Sequence, residues 1–193
     1  MYFVFSTSRI GLKFATFIAV RSVRNSYGQV AIDMGKSPTT HAEASNDTIR
    51  KFGYPATCIA DYSSWTVLLR PQQITLGALI LACRKSATKF SAIGQEAFNE
   101  LNLVTGHIES ALADAFAYDK LNYLMLMMVD PHVHFHVVPR YSDSRSFRGL
   151  SFADPGWPAT PQLGASTEMD DAHRSALISH LRELWPDREV ATQ

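Results

Sequence analysis

Residues 130–140 read Asp-Pro-His-Val-His-Phe-His-Val-Val-Pro-Arg and hold three of the chain's seven histidines within five positions. His132, His134 and His136 alternate with Val133, Phe135 and Val137, which is the period of two that a β-strand imposes on its side chains. The alternation predicts a strand whose three imidazoles share one face, successive rings ~6.6 to 6.8 Å apart along it. Asp130-Pro131 starts this strand afresh, because proline has no N–H for the ladder and restricts the residue before it. A water-facing strand tolerates polar residues, but three histidines at i, i+2 and i+4 exceed what a solvated face asks for.

Working upstream, "LNYLMLMMV" (121–129) is a nearly continuous apolar run, as expected of a central strand covered on both faces. Before it, Phe98, Leu101, Val104, Ile108, Leu112 and Phe116 recur at steps of three and four, predicting one apolar face of a helix of about 20 residues laid across the sheet. Earlier still, "ATCIAD" (56–61), "SWTVLLR" (64–70) and "TLGALILAC" (75–83) are short runs rich in β-formers, separated by Tyr62-Ser63 and by Pro71-Gln72-Gln73. They read as successive antiparallel strands. Downstream of Arg140, an irregular stretch containing "ADPGWPATPQLG" leads to a last helix. Thr167 and Asp170 form a box-like start, Leu177, Ile178, Leu181, Leu184 and Trp185 make its stripe, and Pro186 stops it. The order of these elements predicts an α+β domain with a five-stranded, mainly antiparallel sheet, a long helix packed on it and a C-terminal helix.

The chain of 193 residues, 46% of them hydrophobic, suits one domain with tails. We place that domain at 48–165, the C-terminal helix and tail at 166–193, and an extension and linker at 1–47. Residues 1–32 contain no acid while Arg9, Lys13, Arg21 and Arg24 punctuate apolar residues, which suits a targeting segment. The alternative is that Met34, opening the polar linker "MGKSPTTHAEASND", is the true start. The formal charge is zero, from 18 basic and 18 acidic side chains, so no global field favours nucleic acid or a membrane surface as a partner. No apolar run reaches the ~18 to 20 residues of a spanning helix. Cys58 and Cys83 lack the paired spacing of a zinc site and suit buried thiols in a reducing, cytoplasmic compartment.

Chemistry leaves the histidines two employments. Imidazoles two apart on a strand chelate metals, and a further ligand would complete a hydrolytic site. Without metal, a neutral ring nitrogen attacks phosphorus while neighbouring rings stabilise charge on the non-bridging oxygens. The pattern His-φ-His-φ-His-φ-φ, here His132 to Val138, resembles the signature of the histidine-triad superfamily of nucleotide hydrolases and transferases. The resemblance covers about residues 50–165 and is greatest to its bacterial diadenosine tetraphosphate hydrolase-like branch.

That resemblance implies a histidine-triad fold and hydrolysis of dinucleoside polyphosphates or nucleoside phosphoramidates at the α-phosphate. His134 is then the nucleophile that forms a nucleotidyl-imidazole, His136 contacts the phosphate, and His132 orients and polarises the site. No metal or other cofactor is required, and His136, where related transferases carry Gln, favours hydrolysis. Asn122 falls where many members place an asparagine near the site, and many members form homodimers. Two departures stand out: Ala78 follows Gly77 where many members have a histidine, and Met127 to Asp130 replace a Gly-Asn or Gly-Gln element. A metal-dependent hydrolase and a nucleotide-binding protein with little turnover remain as alternatives.

Among other candidates, Arg140, Arg145 and Arg148 are potential phosphate ligands or ordinary surface arginines. Asp130 orients a histidine or caps the turn before Pro131. Trp157 lines a base pocket or covers the sheet. His41, His107, His173 and His180 show no partner pattern and read as solvated.

Overall fold

The computed structural model describes residues 46–186, so the expectations for the basic leader, for Met34, for His41 and for the end of the tail lie outside the described residues. The chain enters with a short helix, α1 (Asp47–Lys51), followed by β1 (Cys58–Asp61), β2 (Trp65–Leu69) and β3 (Leu79–Cys83). The long helix α2 (Gln95–Phe116) leads to β4 (Lys120–Leu124) and β5 (His134–Arg140). A small hairpin of β6 (Arg145–Phe147) and β7 (Leu150–Phe152) and the helix α3 (Asp171–Glu183) follow. The five-stranded sheet is antiparallel throughout, in the order β1-β2-β3-β5-β4, so the predicted α+β architecture is present.

Strands β2 and β3 are buried at every position, as their unbroken apolar runs require. On one face, Trp65, Val67, Leu79, Leu81 and Val137 meet Val104, Ile108 and Leu112 of α2 and Leu177 and Leu181 of α3. The Trp65 indole donates to the Ala97 carbonyl at 2.8 Å, which ties β2 to the first turns of α2. Helix α2 ends where Ala117 turns left-handed at φ 46° and its N–H returns to the Ala113 carbonyl at 2.9 Å. On the other face lie Leu68, Ile80 and Ala82, covered by Ile49 and Phe52.

Four expectations are corrected. The run 121–129 is not a central strand: β4 stops at Leu124 and occupies the sheet edge, while Met128 and Val129 are 89% and 80% exposed. Hydrophobicity alone misplaced it, since period and burial disagree after Leu124. The strand of the histidines begins at His134 and leaves His132 in the approach to it. Helix α3 is capped by Asp170, whose carboxylate accepts the His173 N–H at 2.8 Å, whereas Thr167 bridges to Gln73. Asn46 and Asp47, read as linker, are the cap and first residue of α1.

Trp65 is fully buried and also hydrogen-bonded. Trp65→Ala is expected to destabilise the protein by about 3 to 5 kcal/mol, measured as a shift of the urea unfolding midpoint.

Candidate active site

The register of β5 sets the site. His134 lies opposite Ala82 and His136 opposite Ile80 on β3, so both imidazoles rise from the face away from α2. Their ring centroids are 5.1 Å apart at 69°, closer than the ~6.6 Å that two residues span along a strand, because the rings lean together. His134 is completely buried. Its Nδ1 lies 2.7 Å from the backbone carbonyl of His132. A carbonyl only accepts, so Nδ1 carries the proton and in the neutral ring Nε2 holds the lone pair. That Nε2 is buried and has no hydrogen-bond partner.

Helix α1 is held over this face by its cap. The Asn46 side chain accepts the Ile49 N–H at 3.1 Å and donates to the Cys83 carbonyl at 2.9 Å, joining the start of α1 to the end of β3. Thr48 Oγ1 then shares a hydrogen bond of 3.1 Å with His132 Nδ1. The Phe52 ring lies 5.6 Å from the His134 ring and 5.9 Å from that of His136. His132 therefore joins the cluster through α1 rather than through strand alternation.

His136 also has a buried, unpartnered nitrogen, Nδ1. Burial, assisted by His134 and by the Arg70 guanidinium and opposed by Asp130, pushes its pKa down to about 4. At neutral pH the ring is uncharged and offers an N–H and a lone pair, not a cation.

The remaining sequence candidates have partners of their own. Arg140 is 4% exposed and its guanidinium is fully engaged. Nε donates to Asp154 at 2.6 Å, Nη1 to Asn122 Oδ1 at 2.9 Å, and Nη2 to Asp154 at 3.2 Å and to the Ala159 carbonyl at 2.9 Å. Asn122 and Arg140, the candidates for substrate binding, together tie the loop after β7 to the sheet. Arg145 donates to the carbonyls of Phe116, Asp143 and Ala117, and Arg148 is a left-handed residue, φ 46°, between β6 and β7. Asp130 orients no histidine: its carboxylate accepts from Lys51 Nζ at 2.6 Å. Ala78 is buried in the turn into β3, and Trp157 is half-buried with its backbone N–H on the Asp154 carbonyl. The other described histidines do have partners. His107 bonds the Tyr62 hydroxyl at 2.8 Å, His173 bonds Asp170, and His180 stacks against Phe116 and Phe147.

Thr48, Phe52 and Arg70 join the site without having been singled out from the sequence. They reach the histidines across many intervening residues, and no local period marks such contacts. The orphaned position of Arg70 at the end of an apolar strand was the one available signal.

The fold finds its counterparts among known proteins. The family described as the HIT domain matches residues 57–143. Solved structures similar to this chain are themselves histidine-triad proteins. One from Sinorhizobium meliloti aligns over 72% of this chain and 94% of its own at 16% identity and TM-score 0.58. One from Bradyrhizobium japonicum covers 66% and 89% at 22% identity and TM-score 0.54. One from Marinobacter aquaeolei covers 67% and 90% at 21% identity and TM-score 0.54. At these identities the likeness shows the HIT-like fold. No curated protein sequence matches the chain. The HIT segment contains β1 to β5 and all three histidines, while Asn46, Thr48 and Phe52 lie just before it.

Two measurements test the site's energetics. Asp154→Ala leaves the Arg140 guanidinium buried without its counter-charge and should cost roughly 3 to 5 kcal/mol, read by chemical denaturation. For His136, the depressed pKa means that the unfolded chain binds the extra proton first as pH falls below the ordinary value of 6.5. Stability should therefore rise from about pH 4 to 6.5 and this contribution be complete above it. His136→Asn should flatten that part of the profile of unfolding midpoint against pH.

Proposed function

We propose that the protein is a nucleotide hydrolase acting at the α-phosphate of dinucleoside polyphosphates or nucleoside phosphoramidates, with His134 as nucleophile. The observation that carries this reading is the His134 ring. Its Nδ1–H is committed to the His132 carbonyl and its Nε2 lone pair is unpartnered. The lone pair on Nε2 forms a bond to the α-phosphorus as the P–O or P–N bond to the leaving group breaks, and the leaving group departs with that electron pair. Positive charge that develops on the ring is stabilised through Nδ1–H by the carbonyl. Water then attacks the same phosphorus, the N–P bond breaks, and a nucleoside monophosphate leaves with His134 restored.

His136 stands beside the nucleophile as an uncharged donor to a non-bridging oxygen, and His132 is braced by Thr48. The match of the HIT domain to residues 57–143 supports the assignment. For a metal-dependent alternative the three rings would have to converge. Among the described residues no group of three or more His, Cys, Asp or Glu is arranged to hold a metal ion, and His132 Nδ1 is turned to Thr48. The edge position of β4 and the exposed Met128 and Val129 support a homodimer. Among the described residues no helix is long and apolar enough to cross a membrane. Cys58 and Cys83 are free thiols, in keeping with the reducing cytoplasmic setting of this reading.

Brief exposure to a labelled dinucleoside polyphosphate followed by peptide mass spectrometry should find a nucleotidyl group on His134, absent in His134→Asn. An adduct on another residue would overturn the assignment, and binding without any cleavage would identify a nucleotide-binding protein instead.

A further inference from the structure

Arg70 directly follows β2, and its N–H continues the ladder to the Ala78 carbonyl at 3.0 Å. Leu68 pairs with Ile80, and Ile80 with His136, so alternation places Arg70 on the histidine face, one row beyond His136 and two strands away. The residue is 9% exposed. Its Nη1 reaches the Gln72 carbonyl, and its buried Nε has no partner. Among the described residues no carboxylate pairs with it, unlike the similarly buried Arg84 and Arg140, which are matched with Asp61 and Asp154. A guanidinium withdrawn from water without counter-charge opposes folding. Such a group is retained where a bound anion supplies the missing charge.

A cleft opens at Arg70. A cleft of about 260 Å³ is lined by Lys51, Phe52, Arg70, Pro71 and Gln72. At this size the cleft has ample room for a phosphoryl group. Phe52 forms one wall and also touches the rings of His134 and His136, which sets the cleft beside the position of the reacting phosphate. Lys51 is already bonded to Asp130, leaving Arg70 as the uncompensated cation of the cleft.

We propose that Arg70 binds a second phosphoryl group of the substrate, adjacent in the phosphate chain to the one that His134 attacks. This rests on the nucleotide reading above and narrows it to polyphosphates over phosphoramidates and other monophosphate derivatives. The planar guanidinium grips two phosphate oxygens at once. With His136 uncharged at neutral pH, Arg70 supplies the fixed positive charge that a polyphosphate chain needs there.

The test uses the full chain and two variants, Arg70→Gln and Arg70→Met, with inorganic pyrophosphate, ADP and AMP as probes in calorimetric titrations. Arg70→Gln should weaken pyrophosphate and ADP about tenfold or more, while AMP changes by less than about threefold. Equal weakening of ADP and AMP, or no weakening of either, would overturn the proposal. Without ligand, Arg70→Met should melt at or above the wild-type temperature, because it removes an uncompensated buried charge. A lower melting temperature would make Arg70 a structural brace and also overturn it. The catalytic reading fails separately. Arg70-dependent pyrophosphate binding with no nucleotidyl adduct on His134 upholds the subsite and rejects the hydrolase. Adduct formation from polyphosphate and phosphoramidate at a ratio unchanged by Arg70→Gln upholds the hydrolase and rejects the subsite.

Discussion

The pairing of β5 with β3 is the constraint on which the remaining arrangement depends. Ala82 opposite His134 and Ile80 opposite His136 fix which face of the sheet the imidazoles occupy. A slip of one residue would turn both rings into the apolar layer beneath α2 and expose Phe135 and Val137 in their place. The apolar layer resists such a slip. Phe135 packs against Trp65 and Phe90, and Val137 is completely buried. The hydrophobic core on one side of the sheet thus holds the polar cluster in place on the other.

The two faces are finished differently. Helices α2 and α3 cover one with matched apolar stripes, a solution in which burial supplies the energy and geometry follows. Over its histidines the other face carries the five-residue α1, too short to be stable alone. Directional bonds hold that helix: Asn46 to the end of β3, Thr48 to His132, Lys51 to Asp130. Its single large apolar contribution beyond Ile49 is Phe52, laid against the two rings. Directional bonds give little net stability but define positions closely, which is what a site for phosphorus chemistry needs.

What was legible in the sequence follows the range of the interaction involved. Period two at His134 to Val137 and period three to four at Val104 to Phe116 are local properties, and the strand and helix appear where these patterns put them. Composition without period misled at Met125 to Val129, where an apolar run ends in exposed loop rather than in a strand covered on both sides. Arg140 illustrates a different difficulty. An arginine just past a histidine cluster reads as a ligand for phosphate, yet Asp154, fourteen residues on, takes its charge. Conversely Arg70, at the end of an unremarkable apolar strand, is a buried arginine with no carboxylate beside it among the described residues and with its Nε unpartnered. No local pattern distinguishes the two, because the difference lies in which carboxylate the fold brings near.

The hydrogen bond that sets the His134 tautomer ends on a main-chain oxygen rather than on a side chain. An acceptor of this kind survives replacement of residue 132 by any amino acid. Variation at that position therefore changes the imidazole while leaving the donor lock on the neighbouring ring in place. The two contributions of His132, its ring and its carbonyl, are separable genetically in one direction only. Substitution reports on the ring, whereas the carbonyl is reached only by altering the path of the chain after Pro131. Selection acting on residue identity can thus refine the surroundings of the nucleophile without putting its protonation pattern at risk.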